Sequence, residues 1–558
     1  MNDALPEALT RLRDDLGAVR LSLELDSAGQ ARRVRDDLVA QVDDYLLPRL
    51  WQMDAPVVMV VGGSTGAGKS TILNSLVGTE VSPAGVLRPT TRAPVLACHP
   101  DDVRWFEDQR ILPKLARSTG SSGASAGTLQ LVPTNALQPG LALLDSPDID
   151  SVLAENRALA NQLLAAADAW LFVTTAARYA DAVPWEFLRA ARDRGTSLSI
   201  VLNRVPEDAR EVAAHLREML REQDLGDTEL LVVPETELVD GLLPARALAP
   251  VRNWLDALAA DAAARSDLIR RTLKGALASL PARAGSVVSA AAEQLAAASE
   301  LRSEVDAAYA GALRDVEEAM RSGSLLRGEV LARWHEVIGT GDVMRALESR
   351  VGWVRDRVKS VVTGKPSADE ELRVAVENRI EAVIRAAAER ASERASRAWR
   401  ERTPGRALLS DSTAFDRASH DLQVRTEDEV RAWQGFVFEL VRREGESKRT
   451  TARLASLGVN GAGLTVMLAV FVHTGGLTGA EVVVAGGTSA IGQKLLEAIF
   501  GDQAVRTLAA RAREDLLERA EKLLRGDAAR FDELLDAAPD AESLARLYGS
   551  LDAVRRAA

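Results

Sequence analysis

Cysteine is almost missing from these 558 residues: Cys98 stands alone. That excludes an intramolecular disulfide and a cysteine-based zinc site, and it makes a reducing compartment the simplest setting. Histidine is scarce as well, with five residues, so metal chemistry built on imidazole has little to draw on. Aromatic residues contribute only 4% while hydrophobic residues reach 47%; cores must therefore be assembled from Ala, Leu and Val, which suits close-packed helices. A surplus of positive charge is also absent. The net charge of −12 argues against a protein held on nucleic acid by phosphate contacts. The first residues, Met1-Asn2-Asp3-Ala4-Leu5-Pro6-Glu7, are acidic and carry no apolar core of a secretory signal, so a cytoplasmic location is expected.

Proline thins out along the chain. Of its 20 prolines only Pro281, Pro366, Pro404 and Pro539 lie beyond residue 250, which leaves the C-terminal half free to form very long helices. The length itself calls for more than one structural unit. Residues 1–53 read as a helical segment with Leu9, Leu12, Leu16, Val19 and Leu23 on one stripe, in need of a partner and expected on a stalk. Residues 54–250 alternate short apolar runs with helical patterns, the mark of a parallel α/β sheet. Strands are expected at 57–61, 95–97, 129–132, 141–144, 170–174, 198–202 and 230–233. Residues 251–453 read as a helical stalk, a bundle or coiled coil, with Ile380, Val383, Ile384, Ala387 and Ala391 at helical spacing.

Residues 454–500 depart from the rest. From Leu454 to Ala480 there is no Asp, Glu, Lys or Arg, and a second apolar patch starts at Val482 beyond Gly475-Gly476. The pattern suggests an apolar hairpin, preceded by Lys448, Arg449 and Arg453 as at an anionic membrane surface. A hairpin buried in the stalk core is the alternative. Residues 501–558 read as returning helices.

The chemistry is concentrated near the N-terminus. Val57 to Val61 is a strand, Gly63-Ser64-Thr65-Gly66-Ala67-Gly68-Lys69-Ser70 matches G-x-x-x-x-G-K-[ST], and Thr71 to Val77 continues as a helix. In that strand–loop–helix context the motif is a phosphate cradle: loop amides meet phosphate oxygens, Lys69 adds a point charge and the Ser70 hydroxyl ligates Mg²⁺. Asp145, ending an apolar strand, can hold the Mg²⁺ shell from across the site.

Together with Arg88-Pro89-Thr90-Thr91-Arg92 and Asp145-Ser146-Pro147-Asp148, this motif resembles the P-loop GTPases of the dynamin and Era-like type. The whole order of segments resembles a bacterial dynamin-like GTPase: an α/β P-loop GTPase domain plus an extended all-α helical stalk with an apolar hairpin. The resemblance implies GTP as substrate, Mg²⁺ as cofactor, Thr91 as a switch ligand to the metal, and Asn203 and Arg204 beside the base. It further implies self-association through the GTPase domain or stalk, and membrane lipid as a partner at the inner face of the cell membrane. No nucleic-acid partner is expected.

Three positions depart from the family pattern. Thr65 stands where dynamin-like enzymes place a water-orienting Gln, so a hydroxyl is left as the catalytic candidate beside Lys69 and Thr91. Asp148 replaces the glycine of the D-x-x-G switch and brings another negative charge to a polyphosphate site. Pro206 takes the place of the guanine-reading aspartate after Asn203-Arg204-Val205. Arg92 and Arg178 are candidates for charge stabilisation. The alternatives to a membrane-coupled GTP hydrolase are a nucleotide-bound membrane or cytoskeletal scaffold with little turnover and an Era-type assembly GTPase.

Overall fold

The structure is a computed structural model that describes residues 4–82, 94–108, 112, 115–118, 127–148, 154–209, 211–322, 368–410, 412–445, 467 and 502–558. These residues pack as two units: Met1–Leu21, Asp26–Glu293 and Pro539–Ala558 form the first, and Ser22–Leu25 with Gln294–Ala538 the second.

The first unit is built on an eight-stranded sheet. Its strands are β1 (Val57–Gly63), β2 (Val95–Cys98), β3 (Ala116–Ser118), β4 (Thr128–Pro133), β5 (Leu141–Asp145), β6 (Ala169–Thr175), β7 (Ser197–Val205) and β8 (Glu229–Pro234), in the order β3-β4-β2-β5-β1-β6-β7-β8. All neighbours are parallel except β2 and β5, which run antiparallel. β3 is the one strand here that the hydropathy pattern does not announce; at three residues it is too short for a period-2 signal.

Alternation along the strands explains the layers. Val58 and Val60 point to one face with Leu144, Leu163, Trp185 and Leu216, while Val57, Met59 and Val61 point to the other with Ile72, Leu76, Val251 and Leu255. Successive side chains on a strand must face opposite sides, so a strand buried on both reads as continuously apolar. Helices α6 (Ala154–Ala165), α7 (Ala182–Arg194) and α8 (Glu211–Glu222) serve the first face; α4 (Lys69–Val77), α9 (Ala245–Ala260) and the start of α10 (Ala262–Arg321) serve the second.

A third core in this unit is purely helical. Leu9, Leu12 and Leu16 of α1 (Ala4–Ala18), Leu38 of α2 (Ala28–Gln41) and Leu46 at the end of a π-helical turn meet Leu273, Leu280 and Val287 of α10 and Leu547, Leu551 and Val554 of the C-terminal helix Ala541–Ala557. Leu9, Leu12, Leu16 and Val19 of the expected stripe share this core, whereas Leu23 lies beyond the end of α1 and belongs to the core of the second unit.

The contact between α10 and the turn after α7 requires glycine. A Cβ on Gly275 of α10 would lie 2.7 Å from the carbonyl oxygen of Gly195, and Gly195 itself has φ +72°. In the same helix a Cβ on Gly285 would meet nothing within 4 Å. Gly→Ala in a helix interior stabilises by about 1 kcal/mol when space allows. Gly285→Ala is therefore expected to raise the melting temperature and Gly275→Ala to lower it, and a calorimetric comparison of the two checks both signs.

The second unit is built of helices and their connections, with no strand among its described residues. The rest of α10 packs with Ala368–Arg400, Leu422–Gly445 and Asp502–Glu533 around Trp399, Trp433 and Phe531. Scarce aromatics are used where their polar edge is satisfied: Trp399 Nε1 donates to Leu301 O at 2.9 Å and Trp433 Nε1 to Ala512 O at 2.7 Å. Ile380, Ile384, Ala387 and Ala391 line this core. Of residues 454–500 only Met467 is described, and it is fully buried here; the rest of the expected hairpin lies outside the described residues. Among the described residues no helix is long and apolar enough to cross a membrane.

Candidate phosphate site

The C-terminal ends of β1, β5, β6 and β7 converge on the loop Gly63–Gly68, the crevice where open α/β sheets hold ligands. Three loop glycines have positive φ: Gly63 (+149°), Gly66 (+77°) and Gly68 (+95°). Gly63 is also obligatory for space, and Gly68 is closely approached by a side chain. A Cβ on Gly63 would stand 2.1 Å from the carbonyl oxygen of Val173, and one on Gly68 would stand 2.6 Å from Asn203 Nδ2. The loop closes on itself through Ala67 N to Ser64 O, and Ile72 N to Gly68 O starts α4.

Lys69 is buried, and its Nζ donates to Gly63 O at 2.9 Å, Ser64 O at 3.0 Å and Asp148 Oδ1 at 2.5 Å. Ser70 Oγ donates to Asp145 Oδ2 at 2.8 Å. The same carboxylate oxygen accepts from Ser82 Oγ at 2.5 Å, while Asp145 Oδ1, buried, has no partner among the described residues. Burial raises the Asp145 carboxyl above the usual carboxylate range, against the pull of the Ser82 hydroxyl, the Lys69 ammonium and the Ser70 hydroxyl.

These oxygens fit a small hard dication. Ser70 Oγ and the orphaned Asp145 Oδ1 are hard oxygen donors, and Mg²⁺ is commonly held by one or two such groups plus water and substrate phosphate. Among the described residues no cluster of three or more His, Cys, Asp or Glu side chains forms a protein-only cage, and Mg²⁺ bound in that manner needs none.

Ser82 and Asn74 carry no motif and went unforeseen. Asn74 Oδ1 accepts from the backbone N–H of Val81 and Ser82, and its Nδ2 donates to Ser82 O at 2.7 Å. Three hydrogen bonds from one buried amide fix the chain just after α4 and aim the Ser82 hydroxyl at Asp145. Thr91 and Arg92 lie outside the described residues.

Arg178 reaches the loop from the β6–α7 connection: its Nη1 donates to Thr65 O at 2.7 Å and its Nε to Asp181 Oδ2 at 2.8 Å. Asn203 is buried, with Nδ2 donating to Ala67 O at 2.8 Å. It thereby ties the end of β7 to the Gly63–Gly68 loop. Arg204 beside it is exposed at φ +53°, where the β7–β8 pairing shifts register between Leu202 and Val205. A non-glycine residue held in that region costs on the order of 1–3 kcal/mol. Asp208 is exposed beyond the turn at Pro206.

No family model matches the chain. A chloroplastic protein of Arabidopsis thaliana, "Probable transmembrane GTPase FZO-like", is 28% identical over 169 residues, 30% of this chain and 17% of that protein. The chain thus matches about a sixth of that relative's length. Among solved structures, one of an oligomerised bacterial dynamin pair, described as a mechanism for long-range sensing and tethering of membranes, is similar with a TM-score of 0.40 and 10% identity, over 100% of this chain and 96% of that one. The bacterial dynamin GTPase LeoA from ETEC is similar with a TM-score of 0.24 and 12% identity, over 98% of each chain. Era, solved with a GTP analogue, Mg and a ribosomal RNA segment, has a TM-score of 0.25 and 20% identity over 37% of this chain and 57% of its own.

Proposed function

We propose that the chain is a dynamin-like GTPase that binds and hydrolyses Mg²⁺–GTP and couples this to membrane association through its helical unit. The observation that carries the reading is the joint geometry of Lys69, Ser70 and Asp145 around a loop whose three glycines stand at positive φ. Backbone N–H groups of the loop and of the α4 N-terminus favour negative charge and converge where phosphate oxygens would lie. Ser70 and Asp145 would hold the metal, which would supply positive charge against the charge developing on the phosphates. Lys69 contributes a fixed cation, and Arg178 steadies the loop from outside through the Thr65 carbonyl.

The guanine preference rests on Asn203 and Arg204 standing at the end of β7 and on the family resemblance. Arg204, exposed and held in a strained conformation, offers its aliphatic stem and guanidinium for stacking on a base. Self-association and lipid binding belong to the same proposal, as does a location at the inner face of the cell membrane. A scaffold with little turnover is favoured by one observation, the engagement of Lys69 by Asp148.

Competition of GTP and ATP for the purified full chain, repeated with Lys69→Ala, tests the nucleotide assignment. GTP is expected to displace a labelled guanine nucleotide at far lower concentration than ATP. Equal competition by ATP would remove the guanine assignment. Multiple-turnover phosphate release separates the enzyme from the scaffold, and liposome flotation with and without residues 454–500 tests the lipid partner.

A further inference from the structure

The ammonium group of Lys69 has three N–H donors, and all three are engaged by this chain's own acceptors. Two go to the carbonyls of Gly63 and Ser64, which belong to the loop that must remain in place to cradle phosphate. The third goes to the carboxylate of Asp148 at 2.5 Å. Lys69 is 5% exposed and Asp148 29%, so the pair is formed at the rim of a largely desolvated pocket, where a charge-assisted hydrogen bond is stronger than on an open surface.

From this geometry we infer that Asp148 is an internal competitor for the phosphate site, a carboxylate that occupies the Lys69 ammonium and must be displaced before a nucleotide polyphosphate can take it. The inference rests on the proposed nucleotide reading and adds a residue that sets affinity within it.

The chemistry follows from the list of partners. A phosphate oxygen needs a Lys69 N–H, and of the three acceptors only Asp148 can leave without dismantling the loop. Asp148 lies three residues beyond β5, joined to it through Ser146 and Pro147, and is the more exposed partner. Once displaced, the carboxylate faces a polyanion, so repulsion adds to the loss of its partner. Both effects oppose binding of phosphate and neither affects the empty loop. A ligand carrying its own dication offsets part of this repulsion, so metal-loaded triphosphate is favoured over free anions of similar size.

The test is a double-variant cycle on the full chain with the slowly hydrolysed analogues GTPγS and ATPγS in Mg²⁺, read by calorimetry. Asp148→Asn and Asp148→Ala are each expected to tighten GTPγS about ten- to a hundredfold, the range that one charge-assisted hydrogen bond commands. In a Lys69→Met background Asp148→Asn is expected to give a clearly smaller gain, because no ammonium is left to compete for and only the repulsion of phosphate is relieved. Unchanged or weaker affinity in both Asp148 variants would overturn the inference. So would an equal gain in the Lys69→Met background, which would point to net charge alone. If the parent binds neither GTPγS nor ATPγS and the variants behave alike, the nucleotide reading itself fails and the inference falls with it. If the parent binds and the variants match it, only the competitor role falls.

Discussion

Lys69→Ala is expected to lower the rate of GTP turnover by about 10²–10³, the range seen when one preorganised electrostatic donor is removed from a reaction site. The side chain does two things at once. Its ammonium holds Gly63 O and Ser64 O, which shapes the loop from inside, and it supplies the only lysine charge in the pocket among the described residues. Truncation leaves the loop carbonyls without that donor and leaves Asp148 next to incoming phosphate without a counter-charge. Nucleotide binding should therefore fall along with turnover. Phosphate release under saturating GTP and direct titration of GTPγS measure the two losses separately; turnover within threefold of the parent would contradict the role given to Lys69. Lys69→Arg should not restore activity, because a planar guanidinium cannot place three donors on Gly63 O, Ser64 O and a phosphate from the same stem.

The largest expected loss of stability lies at the opposite end of the sheet. Arg49 of helix α3 (Leu47–Trp51) is buried, and it pairs with the fully buried Asp168 just before β6. Its guanidinium also donates to Gln52 O at 3.2 Å, Ala55 O at 3.0 Å and Pro56 O at 3.1 Å, and Asp168 Oδ2 accepts from Val58 N at 2.8 Å. On the other side, Asp168 O accepts from Thr272 Oγ1 of α10 at 2.8 Å. One ion pair thus joins the N-terminal helices, β1, β6 and α10. Removing one partner of such a pair leaves an uncompensated buried charge, at about 3–5 kcal/mol. Arg49→Ala is expected to lower the melting temperature on the order of 10 °C, measured by scanning calorimetry on the full chain. A well-packed replacement of both partners, Arg49→Met with Asp168→Asn, should recover much of that loss.

The pH dependence has a definite sign. Burial raises the Asp168 carboxyl above its ordinary value, with Arg49 as the main opposing influence. A raised carboxyl favours the fold below the ordinary aspartate range and loses that contribution as pH climbs through the raised value. Without Arg49 the carboxyl rises further. The stability deficit of Arg49→Ala should therefore shrink as the pH is lowered toward that range and widen toward neutrality. A deficit independent of pH would show that lost backbone hydrogen bonds, not the charge, dominate.

Much of the first unit is legible in the sequence because its instructions are local. Val57 to Val61 is apolar at every position, as a strand covered on both faces must be, and the spacing from Gly63 to Ser70 needs only backbone conformation and side chains within one loop to work. Asp145 could be chosen from its place at the end of an apolar strand. The second unit is legible as helix from the scarcity of proline and the 3.6-residue period around Ile380 and Ile384. The partners of those helices were not, since the same apolar stripe satisfies any complementary one.

What the sequence by itself determined is a glycine-rich loop on an α/β sheet followed by long helices, because each of these is specified by residues adjacent in the chain. Which charges meet was decided only by the tertiary structure. Lys69 and Asp148 are 79 positions apart, Arg49 and Asp168 119 apart; the motif marks Asp148 as a departure without showing which cation it meets, and nothing local distinguishes Asp168 from the other acidic side chains among 81. Ser82 acquires its place at Asp145 only because Asn74, eight residues earlier on a helix, grips its backbone. A loop motif encodes its own geometry, whereas a pair across a sheet exists only once the strands between have fixed the distance.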